Sequence, residues 1–591
     1  MNYSIWAQDE TTQELEEVVV SSSRIDLPLS ENSRTIKVIQ AQEIQKSSAT
    51  SLADLLQRVA GIDVRRRGAQ GMQADLYIRG GSFDQTLLLI DGIKVDDPQT
   101  GHHTLNIALP LELIERIEIV KGPAARVFGQ NAFTGAINIV TKKKLEGKGV
   151  ATLSGGSFGQ KNGALSLNLS KEKANHIIHI SKNSSEGYRY NTDFDNLNAF
   201  YKSDFAIGKG DYTFQAAFAD RAFGANGFYA TPVAIDQYEE TQASLVTLYG
   251  RYTKNSWVYK PSLFWKRNQD EYIYVRANPS IYRNLHISNK VGAAFNATNY
   301  NSIGATGFGL ELAQVFIASN NLGGHQRLQL TGFLEQQLLS KDKKLDITPG
   351  IAFNYYSDFK FHAFPGVDVG LQLTEQLKTY ANLGYTYRIP TYTDLYYASS
   401  TTLGNANLEP ETAFSQEYGA TIALKKGSIA LAYFVRSTDN LIDYVKYSEE
   451  AKWKANNFAA LTTRGVEFTG DFPFNIGNQA QLVSLSYTYI DDEIKEVNVP
   501  FSRYAINSLK HQLVLNTQWA ITDRLPLTLT HTYAERTKGT SYHVVDASVR
   551  YKIKRINWSL VANNISNTVY SETNLVPAPG ANFLIGLSYS L

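Results

Sequence analysis

From Leu145 to the last residue, Leu591, the chain repeats one pattern: short runs of alternating apolar and polar side chains, separated by turn residues. Leu165, Leu167 and Leu169 share one face of such a run, and Ser166, Asn168 and Ser170 the other. Val545, Ala547, Val549, Tyr551 and Ile553 oppose Asp546, Ser548, Arg550 and Lys552, and Phe583, Ile585, Leu587, Tyr589 and Leu591 carry the alternation to the end. A period of two puts successive side chains on opposite faces of a strand, and no helical period interrupts it. With so many strands the sheet is expected to close, because only closure removes edges whose unpaired N–H and C=O groups would find no partner in lipid. Roughly 450 residues at about twenty per strand and connection give about 22 antiparallel strands, the size of barrels that carry a plug. Thr374 to Lys378 reads as a short turn at one end, and Ala222 to Thr241 and Tyr397 to Thr412 as long loops at the other.

Composition agrees with a barrel without requiring one. Aromatics make up 12% of the chain, with Tyr 35 and Phe 28 against Met 2. That suits rings placed at two membrane interfaces, although an array of soluble β-sandwiches would share the bias. No run of eighteen apolar residues exists and mean hydropathy is −0.26, which excludes a helical membrane protein but not strands that put every second side chain into lipid. Cys 0 removes disulfides, thiolate nucleophiles and thiolate metal sites. A formal net charge of +1 provides no bulk field for nucleic acid, so partners must be recognised locally.

The first 144 residues are of another kind. Met1 to Asp9 reads as the tail of a signal peptide with its cleavage site, or else as a plain disordered start. Residues 11–33 are polar and acidic except for Val18, Val19 and Val20 after Glu16 and Glu17. Residues 34–144 then read as a small mixed α/β domain. Ser51 can cap a helix with Leu52, Leu55, Leu56 and Val59 on one face and Gly61 as its stop. Thr86 to Ile90 is a buried strand, Asp91-Gly92 a tight turn into Ile93 to Val95, and Ile117, Ile119, Ile137 and Ile139 mark further strands.

Several stretches carry a family resemblance. Arg79-Gly80, Asp91-Gly92, Glu115-Arg116-Ile117-Glu118, Lys121-Gly122-Pro123 and Gly135-Ala136-Ile137-Asn138 occur in the order found in the plug domain of TonB-dependent outer-membrane receptors. Arg388-Ile389-Pro390, Asp394-Leu395-Tyr396, Asn407 to Glu411 and Ala562 to Gly580 resemble the family's late barrel. The resemblance implies an all-β transmembrane barrel with residues 34–144 folded inside the lumen, inserted in the outer membrane of a Gram-negative cell by the barrel-assembly machinery. It further implies energised import of a small-molecule nutrient, driven by TonB with ExbB and ExbD. Glu16, Glu17, Val18, Val19 and Val20 resemble the TonB box, which adds as a strand to TonB; an ordinary first plug strand is the other reading. Arg79, Glu115, Arg116 and Glu118 are then expected to ion-pair the plug to the barrel wall, and Gly80, Gly122 and Gly135 to allow close backbone approach. Members usually end in an aromatic residue; this chain ends in Leu591, with Tyr589 two residues before it.

Compact length, the loop Asp97-Pro98-Gln99-Thr100-Gly101-His102-His103 and the loop Phe223 to Tyr229 are similar to BtuB-type cobalamin receptors, particularly Bacteroidetes forms. Ferric-siderophore or haem import stays open, as does a passive channel or adhesin barrel. In such a plug the segments Arg65 to Gln73 and Asp96 to Leu105 would rise towards the ligand, so Gln70, Met72, Gln99, His102 and His103 are the expected contacts of a large, polar, near-neutral molecule. As a metal pair the adjacent histidines are poor, since neighbouring positions rarely aim at one ion and no third ligand is evident. Asp193 and Asp195, at alternate positions, could hold a structural calcium, as BtuB-type receptors do in comparable loops; no other cofactor is implied, and a surface lipoprotein is a further conceivable partner. No Gly-x-Ser-x-Gly elbow and no phosphate-cradling loop is present, so catalysis is not expected.

Overall fold

The computed structural model describes Val19, Val20, Ile25, Leu27, Pro28, Ser33, Arg34 and residues 36–591, except 69–71, 108, 124, 230–232, 496–498, 504–507, 538, 540, 574 and 575. Its dominant feature is a closed barrel of 22 antiparallel strands. The first, Gly149–Gly156, pairs with the last, Asn582–Ser590, in a register that sets Ala151 opposite Tyr589. Leu591 donates its N–H to Gly149 O at 2.9 Å, so the terminal residue joins the seam ladder. Two short strands, Thr402–Leu403 and Phe501–Ser502, attach at the rim.

The barrel is inside out relative to a soluble protein. Leu153, Leu169, Ile180, Leu263, Leu310 and Phe583 are more than half exposed on its outer face, whereas Thr463, Gln215, Asn354 and Thr530 are buried within. Trp257 stacks on Tyr259 at 5.9 Å, and Tyr259 lies near Tyr252 and Phe295, forming a ring belt beside the two-residue turn at 255 and 256. Connections alternate in length: residues 373–376 make a tight turn, and 225–237 and 389–410 are long loops at the opposite end.

Inside the lumen lies a five-stranded sheet in the order Ile36–Gln40, Ile114–Lys121, Gly135–Thr141, Thr86–Ile90, Ile93–Lys94, in which only Thr86–Ile90 and Gly135–Thr141 run parallel. Asp91 and Gly92 take φ of 49° and 81° and form the tight turn; Asp91 also accepts from Thr141 N and Oγ1. The helix begins where Ser51 accepts from Asp54 N, but it spans only Leu52–Leu56 and ends well before Gly61. Gly61 serves another purpose, as a Cβ there would lie 1.9 Å from Glu467 Oε1 of the barrel wall. At Gly122, with φ of 83°, a Cβ would lie 2.7 Å from Glu417 Oε2.

The plug is held differently on its different sides. Its core of Leu55, Leu56, Ile62, Leu76, Ile117, Ile137 and Ile139 continues into Ile177, Phe200, Ala217, Ala219, Ala243 and Leu245, an apolar stretch of the lumen wall. Elsewhere the contacts are ionic: Arg536 forks onto Asp63 at 2.8 and 2.9 Å, Lys290 bonds Asp96 at 2.8 Å, and Arg66 binds Glu572. Arg79 is the centre of this set, reaching Glu417 at 2.6 Å and both oxygens of Glu467 at 2.9 Å. The expected locks at Arg116 and Glu118 have partners within the plug. Arg116 bonds Glu118 at 2.8 Å within the plug sheet, where Glu118 also accepts from Asn138, and Glu115 is exposed. Pro123 seats against Gly384 of the wall.

Candidate functional site

Between the plug and the long loops lies a cavity of about 810 Å³. Its floor is the plug segment after Val95. Thr100 caps the single turn Gly101–His103 by accepting from His102 N, and Asp84 Oδ1 accepts Gly101 N at 2.6 Å. Lys290 and Lys266 hold Asp96 and Asp97, and the backbone carbonyls of Pro98 and Gln99 accept from Tyr392 N and Thr393 N. The loop is thereby tied to the helix Tyr392–Tyr396, which starts with a reciprocal cap between Thr391 and Asp394. Below that helix Arg388 binds Glu411 at 2.9 Å, Asp394 at 2.5 Å and Asp84 at 3.2 Å. The late-barrel residues singled out by sequence thus brace the floor.

Two histidines enter the cavity and diverge. The His102 ring stacks on Phe83 at 4.0 Å and its Nδ1 lies 2.6 Å from Asp75 Oδ1. Burial alone would raise the Asp75 carboxyl, but His102 and Arg67 hold it well below the usual carboxylate range. His103 points instead to the wall, with Nε2 3.2 Å from Asp270 Oδ2. Burial favours its neutral form; the Asp270 carboxylate outweighs this and pushes the imidazole up to about 9. Gln99 donates to the same Asp270 oxygen at 3.0 Å. Asp84, buried beside Arg388 with Asp394 and Glu411 close by, is pushed up to about 7, chiefly by burial.

Of the expected contacts, Gln99, His102 and His103 line the cavity. Gln70 lies outside the described residues. Met72 is displaced from the expectation: it packs with Phe194, Phe223, Ala225, Phe228 and Val576 beneath the loops, because an apolar side chain there finds a ring cluster rather than the open vestibule. Asp193 forks onto Arg276 at 2.7 and 2.9 Å while Asp195 pairs with Lys182, so the two carboxylates face separate cations. Among the described residues, the ligand atoms that do converge belong to His103, Glu239 and Asp270, all within 4.8 Å of one another. Tyr229 and Tyr397 come from the two long loops read from sequence, whereas Tyr272, Tyr282, Tyr444 and Trp453 were not foreseen; together they surround the cavity with rings, and Arg503 lies over Trp453 and Tyr444 at 4.8 and 5.3 Å. The alternation of Trp257–Ile273, which sets Lys266, Asn268 and Asp270 on one face, was the available signal for the lumen side. A second hollow of about 500 Å³, bounded by Leu153, Gly163 and Trp558, is a lipid-facing groove at the barrel seam.

Two family models cover this architecture. "TonB dependent receptor-like, beta-barrel" matches residues 148–567 and "TonB-dependent Receptor Plug Domain" matches residues 28–136. The chain belongs to the TonB-dependent receptor family. It is accordingly a transporter of the Gram-negative outer membrane and not an enzyme, coupled to TonB and built to bind a small molecule. Among curated relatives, the vitamin B12 transporter BtuB of Vibrio cholerae (strain Classical Ogawa 395) is 24% identical over 98% of this receptor and 96% of its own length. BtuB of Vibrio vulnificus (strain CMCP6) is 26% identical over 77% of the receptor and 75% of its own length. Among solved structures, a ferric enterobactin receptor (PfeA) mutant from Pseudomonas aeruginosa superposes with a TM-score of 0.80 at 15% identity, covering 97% of this receptor and 100% of that chain. The siderophore receptor PirA from the same organism gives 0.75 at 17%, covering 94% and 99%. At such identities the structures establish the fold alone.

Proposed function

We propose that the receptor imports cobalamin. The observation that carries this reading is the charge balance of the vestibule: four arginines and the His103 imidazolium line it against six acids, and Arg65, Arg67 and Arg388 are each engaged by carboxylates. A trianionic ferric catecholate needs a surplus of positive charge, whereas a large near-neutral ligand edged with amides needs many modest donors and acceptors on a ring-lined wall. The curated BtuB relatives support the same choice.

Ligand contact with the plug loop is coupled across the lumen to the tail at the short-turn mouth. There Val19-Val20 pair with Leu27-Pro28, and Ile25 is buried against Ala305 and Gly307. These two valines are the described part of the expected TonB box, residues 16–18 lying outside it. In this reading ligand binding frees the strand for addition to TonB, and the pull loosens the plug.

The test is a direct titration of the detergent-purified receptor, read by intrinsic Tyr and Trp fluorescence, with cyanocobalamin and with ferric enterobactin. Saturable binding of cyanocobalamin is expected. Tight binding of the iron chelate alone would overturn the choice of nutrient.

A further inference from the structure

At the vestibule floor three acceptor oxygens are buried with no hydrogen-bond donor among the described residues: Glu239 Oε1, Asp270 Oδ1 and Gln99 Oε1. Each belongs to a residue at least nine-tenths buried. Two carboxylates here share one cation, since Asp270 pairs with His103 and Glu239 forms no ion pair among the described residues. Elsewhere on the plug surface buried acids are matched, as Asp63 is by Arg536 and Asp96 by Lys290. An uncompensated carboxylate in such a place is costly unless it takes up a proton or a cation is supplied from outside, and a proton on Glu239 would still leave the Asp270 and Gln99 oxygens without a donor.

We propose that His103, Glu239, Asp270 and the Gln99 amide oxygen form a binding site for a divalent first-row transition-metal ion that fastens the plug apex to the barrel wall. The donor set is one imidazole nitrogen with carboxylate and amide oxygens, which suits zinc, iron(II) or manganese and offers nothing to a soft thiophilic ion. The site meets the other requirements of a metal centre. Tyr229 donates to Glu239 Oε2 at 2.7 Å and Gln99 Nε2 to Asp270 Oδ2 at 3.0 Å, so the carboxylates are oriented from behind. The ion has a path in, because all four residues line the open cavity. Metal on His103 Nε2 would displace the proton from that nitrogen and leave the other on Nδ1, beside the Asn106 side-chain amide at 3.1 Å. The ligands join strands Tyr238–Lys254 and Trp257–Ile273 to a plug loop more than 130 residues earlier in the chain. An ion here therefore adds a cross-link between the two domains.

The inference is independent of which nutrient is carried, and its test separates the two. The full-length receptor, stripped with EDTA in detergent, is titrated calorimetrically with Zn²⁺ and with Ca²⁺, and cyanocobalamin binding is measured on the same stripped sample. One Zn²⁺ per chain is expected, with Ca²⁺ much weaker. The E239Q/D270N variant should bind Zn²⁺ more weakly by on the order of 100-fold or more, with retained heat-modifiable migration showing that its barrel is folded. X-ray absorption at the zinc edge of the unmutated receptor should show one imidazole among oxygen ligands. Absence of stoichiometric zinc, equal affinity in the variant, equal Ca²⁺ affinity, or two imidazoles in the zinc shell would each overturn the assignment. The last would move the ion to the exposed His531 and His543 pair, whose ring nitrogens lie 3.2 Å apart.

Discussion

Replacing Arg79 by Met tests whether the plug is locked by balanced charge. In the closed receptor Arg79 and Lys121 face Glu417 and Glu467, two cations against two anions, with Arg79 2% exposed and its guanidinium 4.4 Å from the Phe434 ring centroid. Met keeps much of the volume and the contact with Phe434 but leaves two carboxylates to one ammonium. Removing one partner from a buried ion cluster costs about 3–5 kcal/mol. If that cost falls on the docked plug, the ratio of open to closed receptor rises by roughly two to three and a half decades. Hydrogen exchange at the amides of Ile137 and Ile139 reads plug opening against the barrel ladder as internal reference, and planar-bilayer conductance reads the pore it leaves. The decisive comparison is R79M/E417Q, which restores one cation to one anion by leaving Lys121 with Glu467. It should recover most of the loss, because a neutralised cluster is close to an apolar replacement in cost. R79M within about 1 kcal/mol of the parent, or R79M/E417Q no better than R79M, would refute the argument.

Two other outcomes follow from the same geometry. Asp84, with a native value of about 7 against an ordinary 3.8, binds its proton more tightly folded than unfolded, so its contribution to docking is full below about pH 4 and is lost as pH rises through 7. Asp63, lowered to about 2, gives the opposite limb: its contribution is present above pH 4 and lost as pH falls towards 2. Plug protection measured by hydrogen exchange should therefore decline between about pH 4 and pH 6.5, below the range in which the raised His103 adds its own decline, and D84N should flatten it there; an unchanged slope in D84N rejects the assignment to Asp84. Deletion of residues 16–20 should abolish energised uptake of labelled cobalamin while leaving equilibrium binding intact, and unchanged uptake would reject coupling through the tail.

The barrel was legible because its physics is local. Alternation at positions such as Leu165 to Ser170 reports lipid on one side and lumen on the other, whatever the neighbouring strand is. The strand count followed from length once closure was required. The short helix was less legible: Ser51 announced its start, but it ends at Leu56, and Gly61 is required instead by its close approach to Glu467, a barrel residue about 400 positions later. Arg116 and Glu118 looked like Arg79 in sequence, and only the pairing of Ile114–Lys121 with both neighbouring strands sets them to bond each other within the plug sheet.

The site was legible by halves for a related reason. A plug loop carries its own signature, so Gln99, His102 and His103 could be named from one short stretch. Their chemistry could not, since it depends on which lumen residues the closed barrel sets opposite. His102 and His103 were judged a poor metal pair, and as a pair they are: one ring turns to Asp75 in the plug, the other to Asp270 in the wall. What adjacency denies, closure supplies. The strands Tyr238–Lys254 and Trp257–Ile273 each place one buried acid at the height of the plug apex, and each looks in isolation like an ordinary polar lumen position. A third ligand evident only after the sheet has closed around the plug is what a binding site at a domain junction requires, because the site then exists only while the plug is seated.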